Sequence, residues 1–175
     1  MKNLSRPHSF EKWSELSIGS IISSSLEIVR FDPRFVDIRI VTDEAEEIPV
    51  ITAQGDQLVQ VLINLLLNGA DAILGGGAIT VKTSVDRELD EITVEIIDTG
   101  CGIPEEKLDQ VFEPFFTTKG EEKGTGLGLY VCQCIIQHHG GRMHVKSEPG
   151  RGTNVTLRLP IAGKPEAAIL EPKAG

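Results

Sequence analysis

Apolar residues recur along the chain at two different spacings, and these predict two kinds of element. Spacings of three and four predict helices over residues 15–30, 56–73 and 127–138. Short apolar segments, most of them alternating with polar residues, predict strands over residues 36–40, 48–52, 79–85, 92–96, 143–147 and 153–159. Because the strands have one apolar face each, we predict an α+β fold, a two-layer sandwich. About three helices would cover one face of a mixed, mostly antiparallel sheet.

The length and composition of the chain narrow the class of protein. Its 175 residues suit one domain with its own core. A formal net charge of -9 argues against nucleic acid as a partner, because nucleic-acid phosphates require clustered Lys and Arg. No apolar run approaches the ~20 residues that span a bilayer, so we expect no membrane contact and a cytoplasmic location. The odd count of 3 cysteines fits a reducing compartment and structural thiols.

A line of polar side chains runs along the otherwise apolar helix 56–73. Its members recur at spacings of four, four and three, which places them on one face. They are Gln60, Asn64, Asn68 and Asp71. One interpretation is the solvent face of an amphipathic helix. The other is a polar wall facing a ligand or a metal ion, since an Asn oxygen is a suitable ligand for Mg²⁺.

Two glycine-rich segments are candidates for contact with a ligand. Residues 98–103 (DTGCGI) follow a predicted strand. Asp98 could accept a hydrogen bond from an exocyclic amine such as that of adenine, although Asp and Gly are also common in plain turns. Residues 124–129 (GTGLGL) open a predicted helix, where backbone N–H groups and the helix dipole favour phosphates. The alternative for this second segment is a flexible loop.

Phenylalanines and charged residues lie between the two glycine-rich segments. Half of the 6 phenylalanines occur in residues 111–119, which predicts a packed anchor. A mobile lid, residues 119–123, would follow it and become ordered on a ligand. Within this lid, Lys119 or Lys123 could meet a phosphate. Residues 150–153 (GRGT) predict a tight hairpin before the last strand, where the threonine could reach a base edge.

The order and spacing of these motifs resemble those of the ATP-binding domain of sensor histidine kinases. That domain belongs to a superfamily that also holds DNA gyrase B, the Hsp90 chaperone and the mismatch-repair protein MutL. The resemblance covers about residues 36–160 and implies ATP and Mg²⁺ as ligands. The matching motifs are the N box at 64–68, the G1 box at 98–102, the F box at 112–116, the G2 box at 124–128 and the last glycine motif at 150–153.

The resemblance also implies roles for individual residues. Asn68 would hold Mg²⁺ through its amide oxygen. Asp98 would accept the adenine amine, with Thr153 near the same ring. Asn64 and Asp71 would lie near the phosphates and the metal, and the lid glycines would line the phosphates. The candidate catalytic residues are Asn64, Asn68 and Lys119. The candidate nucleotide-binding residues are Asn64, Asn68, Asp71, Asp98, Gly100, Gly102, Ile103, Thr118, Gly124, Thr125, Gly126, Leu127, Gly128, Leu129 and Thr153.

Two positions depart from patterns found in the superfamily. Asp71 stands where many of the kinases carry Lys, and the Asp-Ala pair resembles the nitrogen-regulation branch. Asn64 stands where the ATPases carry a Glu that activates water as a general base. Because an amide cannot take that proton, we expect phosphotransfer rather than hydrolysis.

In this family the phosphate acceptor is a histidine on an upstream two-helix dimerisation domain. None of the four histidines in this chain lies in the acceptor motif, so we expect all of them to be structural or surface residues. They are His8, His138, His139 and His144.

The resemblance divides the chain into three segments. Residues 1–16 would be a linker from the missing dimerisation domain, 17–161 the ATP-binding catalytic domain, and 162–175 a flexible tail. We expect the chain alone to bind ATP as a monomer without phosphorylating itself. Its parent would be a homodimer that passes the phosphoryl group to an aspartate of a response regulator. Whether the parent has a membrane anchor stays open.

Two other classes of function compete with this interpretation. One is a different enzyme of the same superfamily, either an ATPase or a serine kinase of the anti-sigma factor type. The other is a nucleotide-binding interaction module without catalysis.

Overall fold

The computed structural model describes residues 13–117 and 126–161. A 3-10 turn, Pro33–Phe35, follows the first helix. No helix in these two ranges is long and apolar enough to cross a membrane. In chain order, the elements are β1 (Ser14–Leu16), α1 (Ile18–Val29), β2 (Ile38–Asp43), β3 (Ile51–Ala53), α2 (Gly55–Ala72), β4 (Gly77–Asp86), β5 (Glu91–Asp98), α3 (Glu105–Leu108), α4 (Gly128–His138), β6 (Arg142–Glu148) and β7 (Gly152–Pro160).

Five strands form the central sheet, in the order β2-β4-β5-β7-β6. β2 runs parallel to β4, and the other neighbours are antiparallel. Buried side chains alternate with less buried ones, as Ile92, Val94 and Ile96 do along β5. The helix α2 packs on this sheet, and α1 and α4 pack on α2. The predicted fold class, an α+β sandwich with a mixed and mostly antiparallel sheet, is confirmed.

The first helix begins later than its periodicity predicts. We expected a helix from residue 15, but residues Ser14–Leu16 form β1, which pairs with β3 in a separate two-stranded sheet. The helix α1 starts only at Ile18. The prediction of a helix at residues 15–17 is therefore wrong, because local spacing cannot reveal a strand partner more than 30 residues away.

One cysteine belongs to the core, as the sequence suggested. Cys132 of α4 is fully buried, with its Sγ 3.8 Å from the carbonyl oxygen of Val61. Burial raises the pKa of this thiol to about 12, against the opposing effect of a hydrogen bond with the Asn64 amide. Cys101 and Cys134 are exposed.

His139 joins the end of α4 to the start of α2. Its Nε2 accepts from the backbone N–H of Gln54 at 3.1 Å, and its Nδ1 lies 2.7 Å from the carbonyl oxygen of Ile135. These partners require the neutral ring with the proton on Nδ1. Burial lowers the pKa of His139, which favours the same form. Trp13 packs at a tilt against this ring and against the ring of His138, with ring centroids 4.8 and 5.4 Å away.

Candidate functional site

The helix α2 passes directly over the end of β5. A Cβ atom on Gly69 would lie 3.3 Å from Cβ of Asp98 and 3.2 Å from Cδ1 of Ile79. These contacts are tighter than most Cβ atoms tolerate, so Gly69 permits the close approach of helix and sheet. The approach brings the polar stripe of α2 beside the first glycine-rich segment.

Asp98 ends β5 as a buried carboxylate. Its Oδ1 accepts from the backbone N–H of Gly100 at 2.8 Å and of Thr153 at 3.2 Å. Burial raises the pKa of Asp98, and the two backbone donors partly oppose that rise. Because both bonds go to Oδ1, the second oxygen is available to accept a hydrogen bond from a ligand amine.

Two hydroxyl groups lie beside this carboxylate. Ser147 of β6 accepts from the backbone N–H of Ile103 at 2.8 Å and donates to the carbonyl of Gly152 at 2.8 Å. Its Oγ also lies 2.9 Å from Oγ1 of Thr153. Because Ser147 donates its hydroxyl proton to the Gly152 carbonyl, the Thr153 hydroxyl is the donor in the bond between Thr153 and Ser147. No sequence motif marks Ser147, because a lone Ser in a strand carries no motif signal.

The glycines of the first segment are required by the fold itself. A Cβ on Gly100 would lie 2.7 Å from the carbonyl oxygen of Ala72, and one on Gly102 would overlap the carbonyl of Glu148. Gly102 also has φ +72, which disfavours other residues. The sequence predicts that this segment contacts a ligand, but at these two glycines protein atoms already fill the space that a side chain would need.

Gly126, in the second glycine-rich segment, lies against the backbone of Phe115 in the phenylalanine cluster. Gly126 has φ +65, and a Cβ on it would overlap the backbone of Phe115. The backbone N–H of Phe115 donates to the carbonyl of Gly126 at 3.0 Å. Phe112 and Phe116 pack against the core, as a packed anchor requires, whereas Phe115 is 74% exposed.

The polar stripe of α2 lies partly in the groove between α2 and α4. Gln60 is exposed, whereas the other members are half-buried. The Nδ2 atom of Asn68 lies 3.8 Å from the position of a Cβ on Gly128, at the start of α4. The interpretation as a solvent face therefore holds for Gln60 and not for Asn68.

The start of α4 offers backbone donors next to Asn68. The helix begins at Gly128, and its N-cap is Leu127, whose side chain makes no capping hydrogen bond. The first N–H groups and the helix dipole therefore favour an anion at this end. Leu127 and Leu129 are half-buried, and Leu129 packs against the core.

Asp71 contacts Arg34, a residue that no sequence motif marks. Its Oδ1 accepts from Nη1 of Arg34 at 3.2 Å, and the same guanidinium pairs with Asp32 at 2.8 Å. The hydrogen bonds from the Arg34 side chain and backbone lower the pKa of Asp32 to about 2. The predicted lid, residues 119–123 with Lys119 and Lys123, lies outside the described residues, and so do Thr118, Gly124 and Thr125.

These residues fit a magnesium nucleotide better than a metal ion held by protein alone. No group of three or more His, Cys, Asp or Glu in residues 13–117 and 126–161 could hold a metal ion. Mg²⁺ commonly binds through one or two protein oxygens together with substrate phosphates, which suits the side-chain amide of Asn68 beside a helix N-terminus. The buried carboxylate of Asp98 and the hydroxyl of Thr153 suit a nucleobase.

Comparison with known proteins agrees with this geometry. The family model of histidine kinase-, DNA gyrase B- and HSP90-like ATPases matches residues 53–163. Sporulation kinase D of Bacillus subtilis is 35% identical over 154 residues, which are 87% of this chain and 29% of that protein. The sensor histidine kinase ZraS of Escherichia coli is 38% identical over 146 residues, 83% of this chain and 30% of that protein. The chain thus spans about a third of the length of these relatives.

Solved structures give the same result. The nucleotide-free catalytic domain of histidine kinase ThkA superposes with a TM-score of 0.76 at 28% identity, over 86% of this chain and 96% of that one. The mycobacterial sensor histidine kinase MprB superposes with a TM-score of 0.72 at 27% identity, over 85% of this chain and 97% of that one. The chain therefore belongs to the family of histidine kinase-, DNA gyrase B- and HSP90-like ATPases, as an ATP-binding domain of the sensor histidine kinase type.

Proposed function

We propose that this chain binds Mg-ATP and transfers its γ-phosphoryl group to a histidine of its parent protein. The observation that carries the proposal is that α2 lies against both ends of a candidate nucleotide site. Gly69 lies against Asp98, and the neighbouring Asn68 lies against Gly128. An adenine at Asp98 and phosphates at Gly128 would share α2 as a common wall.

At the adenine end, the second oxygen of Asp98 accepts the exocyclic amine. The Thr153 hydroxyl lies near the same ring and, as donor to Ser147, keeps lone pairs for a ligand. The loop of Gly100, Gly102 and Ile103 forms the rim of this pocket. Its backbone is fixed by the bond from Ile103 to Ser147.

At the phosphate end, Asn68 holds Mg²⁺ through its amide oxygen, and Asn64 and Asp71 lie nearby on the same helix. Bound Mg²⁺ supplies positive charge that neutralises the phosphates. The backbone N–H groups at the start of α4 contact the phosphate oxygens. The proposed lid and phosphate contacts are Thr118, Lys119, Gly124, Thr125, Gly126, Leu127, Gly128 and Leu129.

The reaction is phosphotransfer rather than hydrolysis. A nitrogen of the acceptor imidazole attacks the γ-phosphorus while the bond to the bridging oxygen of ADP breaks. The chain holds the phosphates in line and stabilises the developing charge, with Lys119 as a candidate cation. Asn64 cannot activate a water molecule, since an amide is no base at neutral pH.

The whole protein adds the parts that this reaction needs. We infer a homodimeric parent, whose dimerisation domain carries the acceptor histidine, and a response regulator that receives the phosphoryl group on an aspartate. The chain alone would be a monomer on the cytoplasmic side. It would bind ATP without phosphorylating itself.

Calorimetric titration of the chain with a non-hydrolysable ATP analogue and Mg²⁺ tests the binding site. Asp98→Asn and Asn68→Ala should each weaken binding at least tenfold, because each removes a polar partner worth about 1.5–3 kcal/mol. Asp43→Asn, at the exposed end of β2, and Gln60→Ala, on the exposed part of α2, are matched controls and should bind normally.

Three outcomes would contradict parts of this proposal. A folded chain that does not bind the analogue would favour an interaction module. Steady ATP hydrolysis that Asn64→Ala abolishes would identify an ATPase. Acid-labile, base-stable phosphate on the isolated chain after incubation with labelled ATP would show that it needs no separate acceptor domain.

A further inference from the structure

Three polar side chains form one row across the end of the central sheet. Thr153 of β7 is the register partner of Asp98 of β5 on one side and of Ser147 of β6 on the other. Register partners project from the same face of a sheet. Asp98 and Thr153 are buried, and Ser147 is half-buried. The row therefore joins the proposed adenine carboxylate to Ser147 through Thr153.

The hydroxyl of Ser147 has no hydrogen-bonding capacity left for a ligand. Its proton goes to the Gly152 carbonyl at 2.8 Å, because a carbonyl oxygen can only accept. Its two lone pairs accept from the backbone N–H of Ile103 at 2.8 Å and from the Thr153 hydroxyl at 2.9 Å. Because the Thr153 proton is bonded to Ser147, the Thr153 hydroxyl can only accept a hydrogen bond from a ligand.

The Asp98 carboxylate can likewise only accept. Its Oδ1 already receives the backbone N–H groups of Gly100 and Thr153, and its second oxygen remains for a base. Two acceptors therefore lie side by side at the adenine end. A 6-amino purine donates to such acceptors, whereas a 6-oxo purine would place its own acceptor against them. Polar groups left unpaired in a buried site disfavour the wrong ligand strongly.

We propose that Ser147 is a positioning residue that sets the base specificity of the site. By holding the Thr153 proton, Ser147 makes the site prefer 6-amino over 6-oxo purines. The inference rests on the proposed ATP site and deepens it. Ser147 acts through Thr153 and does not itself contact the nucleotide. Without the Ser147 hydroxyl, the Thr153 proton can rotate toward the base and be donated to a 6-oxo group.

The test compares the affinities for Mg-ATP and Mg-ITP, whose purines carry an amino and an oxo group at position 6. Calorimetric titration of the intact chain should show a preference for ATP of about tenfold or more. In Ser147→Ala the ratio of ATP affinity to ITP affinity should fall about fivefold, because ITP gains a donor. A merely structural role of Ser147 would weaken both nucleotides alike and leave the ratio unchanged. Ser84→Ala, on the exposed side of β4, is the matched control and should keep the ratio.

Two further comparisons test whether the effect passes through Thr153. Thr153→Val keeps the β-branched side chain without its hydroxyl, and in this background Ser147→Ala should no longer change the ratio. Ser147→Cys keeps a side chain in place but gives Thr153 a much weaker acceptor. Its ratio should lie between those of the intact chain and Ser147→Ala. Ser147→Cys also serves as the test variant if Ser147→Ala does not fold.

The contrary results separate this inference from the proposed function. An unchanged ratio in folded Ser147→Ala overturns the inference. An equal fall in the ratio in the Thr153→Val background shows that Ser147 does not act through Thr153, which also overturns it. An intact chain that binds ATP and ITP equally well overturns the inference and leaves the proposed function standing. Failure of the intact chain to bind ATP defeats the proposed function and the inference with it.

Discussion

Asp98 and Thr153 are register partners at the ends of β5 and β7, and the Thr153 backbone N–H donates to the Asp98 carboxylate at 3.2 Å. The proposed adenine end is thus built on adjacent strands of the central sheet. Because sheet backbones are rigid compared with loops, the carboxylate is held in place before any ligand arrives. The price of this arrangement is a buried charge.

Replacing the Asp98 carboxylate with a neutral amide should weaken ATP binding without lowering the stability of the fold. Burial raises the pKa of Asp98, so the folded state holds the proton more tightly than the unfolded state. The stability from this group is therefore greatest at low pH and is lost as pH rises through the folded pKa. Asp98→Asn removes this loss, and its melting temperature at pH 7.5 should equal or exceed that of the intact chain. Calorimetric melting of both proteins checks this, and a clear fall in the variant would contradict it.

Two glycines with similar backbone angles should differ sharply in their tolerance of a side chain. Gly102 has φ +72 and faces the Glu148 carbonyl, whereas Gly150 has φ +77 and nothing within 4 Å. Gly150→Ala should therefore lower the free energy of unfolding by only the backbone strain, about 1–2 kcal/mol. Gly102→Ala adds a steric clash and should lower it by about 3 kcal/mol or more. Urea unfolding of the two variants measures both values, and equal losses would exclude the clash.

The hydroxyl of Ser147 should stabilise the loop beside Asp98. Ser147→Ala leaves the backbone N–H of Ile103 without its partner, which should lower the free energy of unfolding by about 1–3 kcal/mol. Nucleotide affinity should also fall, because Thr153 loses the hydroxyl that it bonds. Ser84→Ala, on the exposed side of β4, is the matched control. Loss of affinity in the control as well would show that the effect is not local.

Protonation of His139 should weaken the fold in mild acid. Its pKa is lowered from 6.5, so the unfolded state binds the proton more readily than the folded state. The neutral His139 ring contributes its full stabilisation above pH 6.5. This stabilisation is lost as the pH falls through the pKa that His139 has in the folded state, which is lower than 6.5. His139→Gln should show a smaller fall in melting temperature between pH 7.5 and about pH 5.

The exposed His144 gives the control for this pH dependence. Exchange of His144 for Gln should leave the fall in melting temperature unchanged. If the His139 variant kept the full pH dependence, another group would have to account for it.

Local spacing in the sequence was enough to predict much of the fold and part of the site. The apolar period of α2 and the alternation along β4 and β5 are short-range signals, and the fold class follows from them. The amides of Asn64 and Asn68 stood out because polar residues on an apolar helix are unusual. Their proposed contacts with ATP stay predictions.

Other features depend on partners that are distant in sequence. Arg34 donates to Asp71, which lies 37 positions away in the sequence. Ser147 accepts from the backbone N–H of Ile103, which lies 44 positions away. β1 is a strand because it pairs with β3, although its own residues continue a helical period. No local pattern marks such residues, because their roles arise only when folding brings the two segments together.

The glycines around Asp98 have an evolutionary consequence. Gly100 and Gly102 leave room for the backbone and side chain of Ala72 and for the carbonyl of Glu148, rather than for a ligand alone. A descendant that had stopped using ATP would still need them in order to fold. Its buried Asp98, in contrast, would be released from selection and could drift to a residue that is easier to bury. In a diverged relative, the carboxylate would therefore reveal a working kinase domain, whereas the glycines would reveal only ancestry.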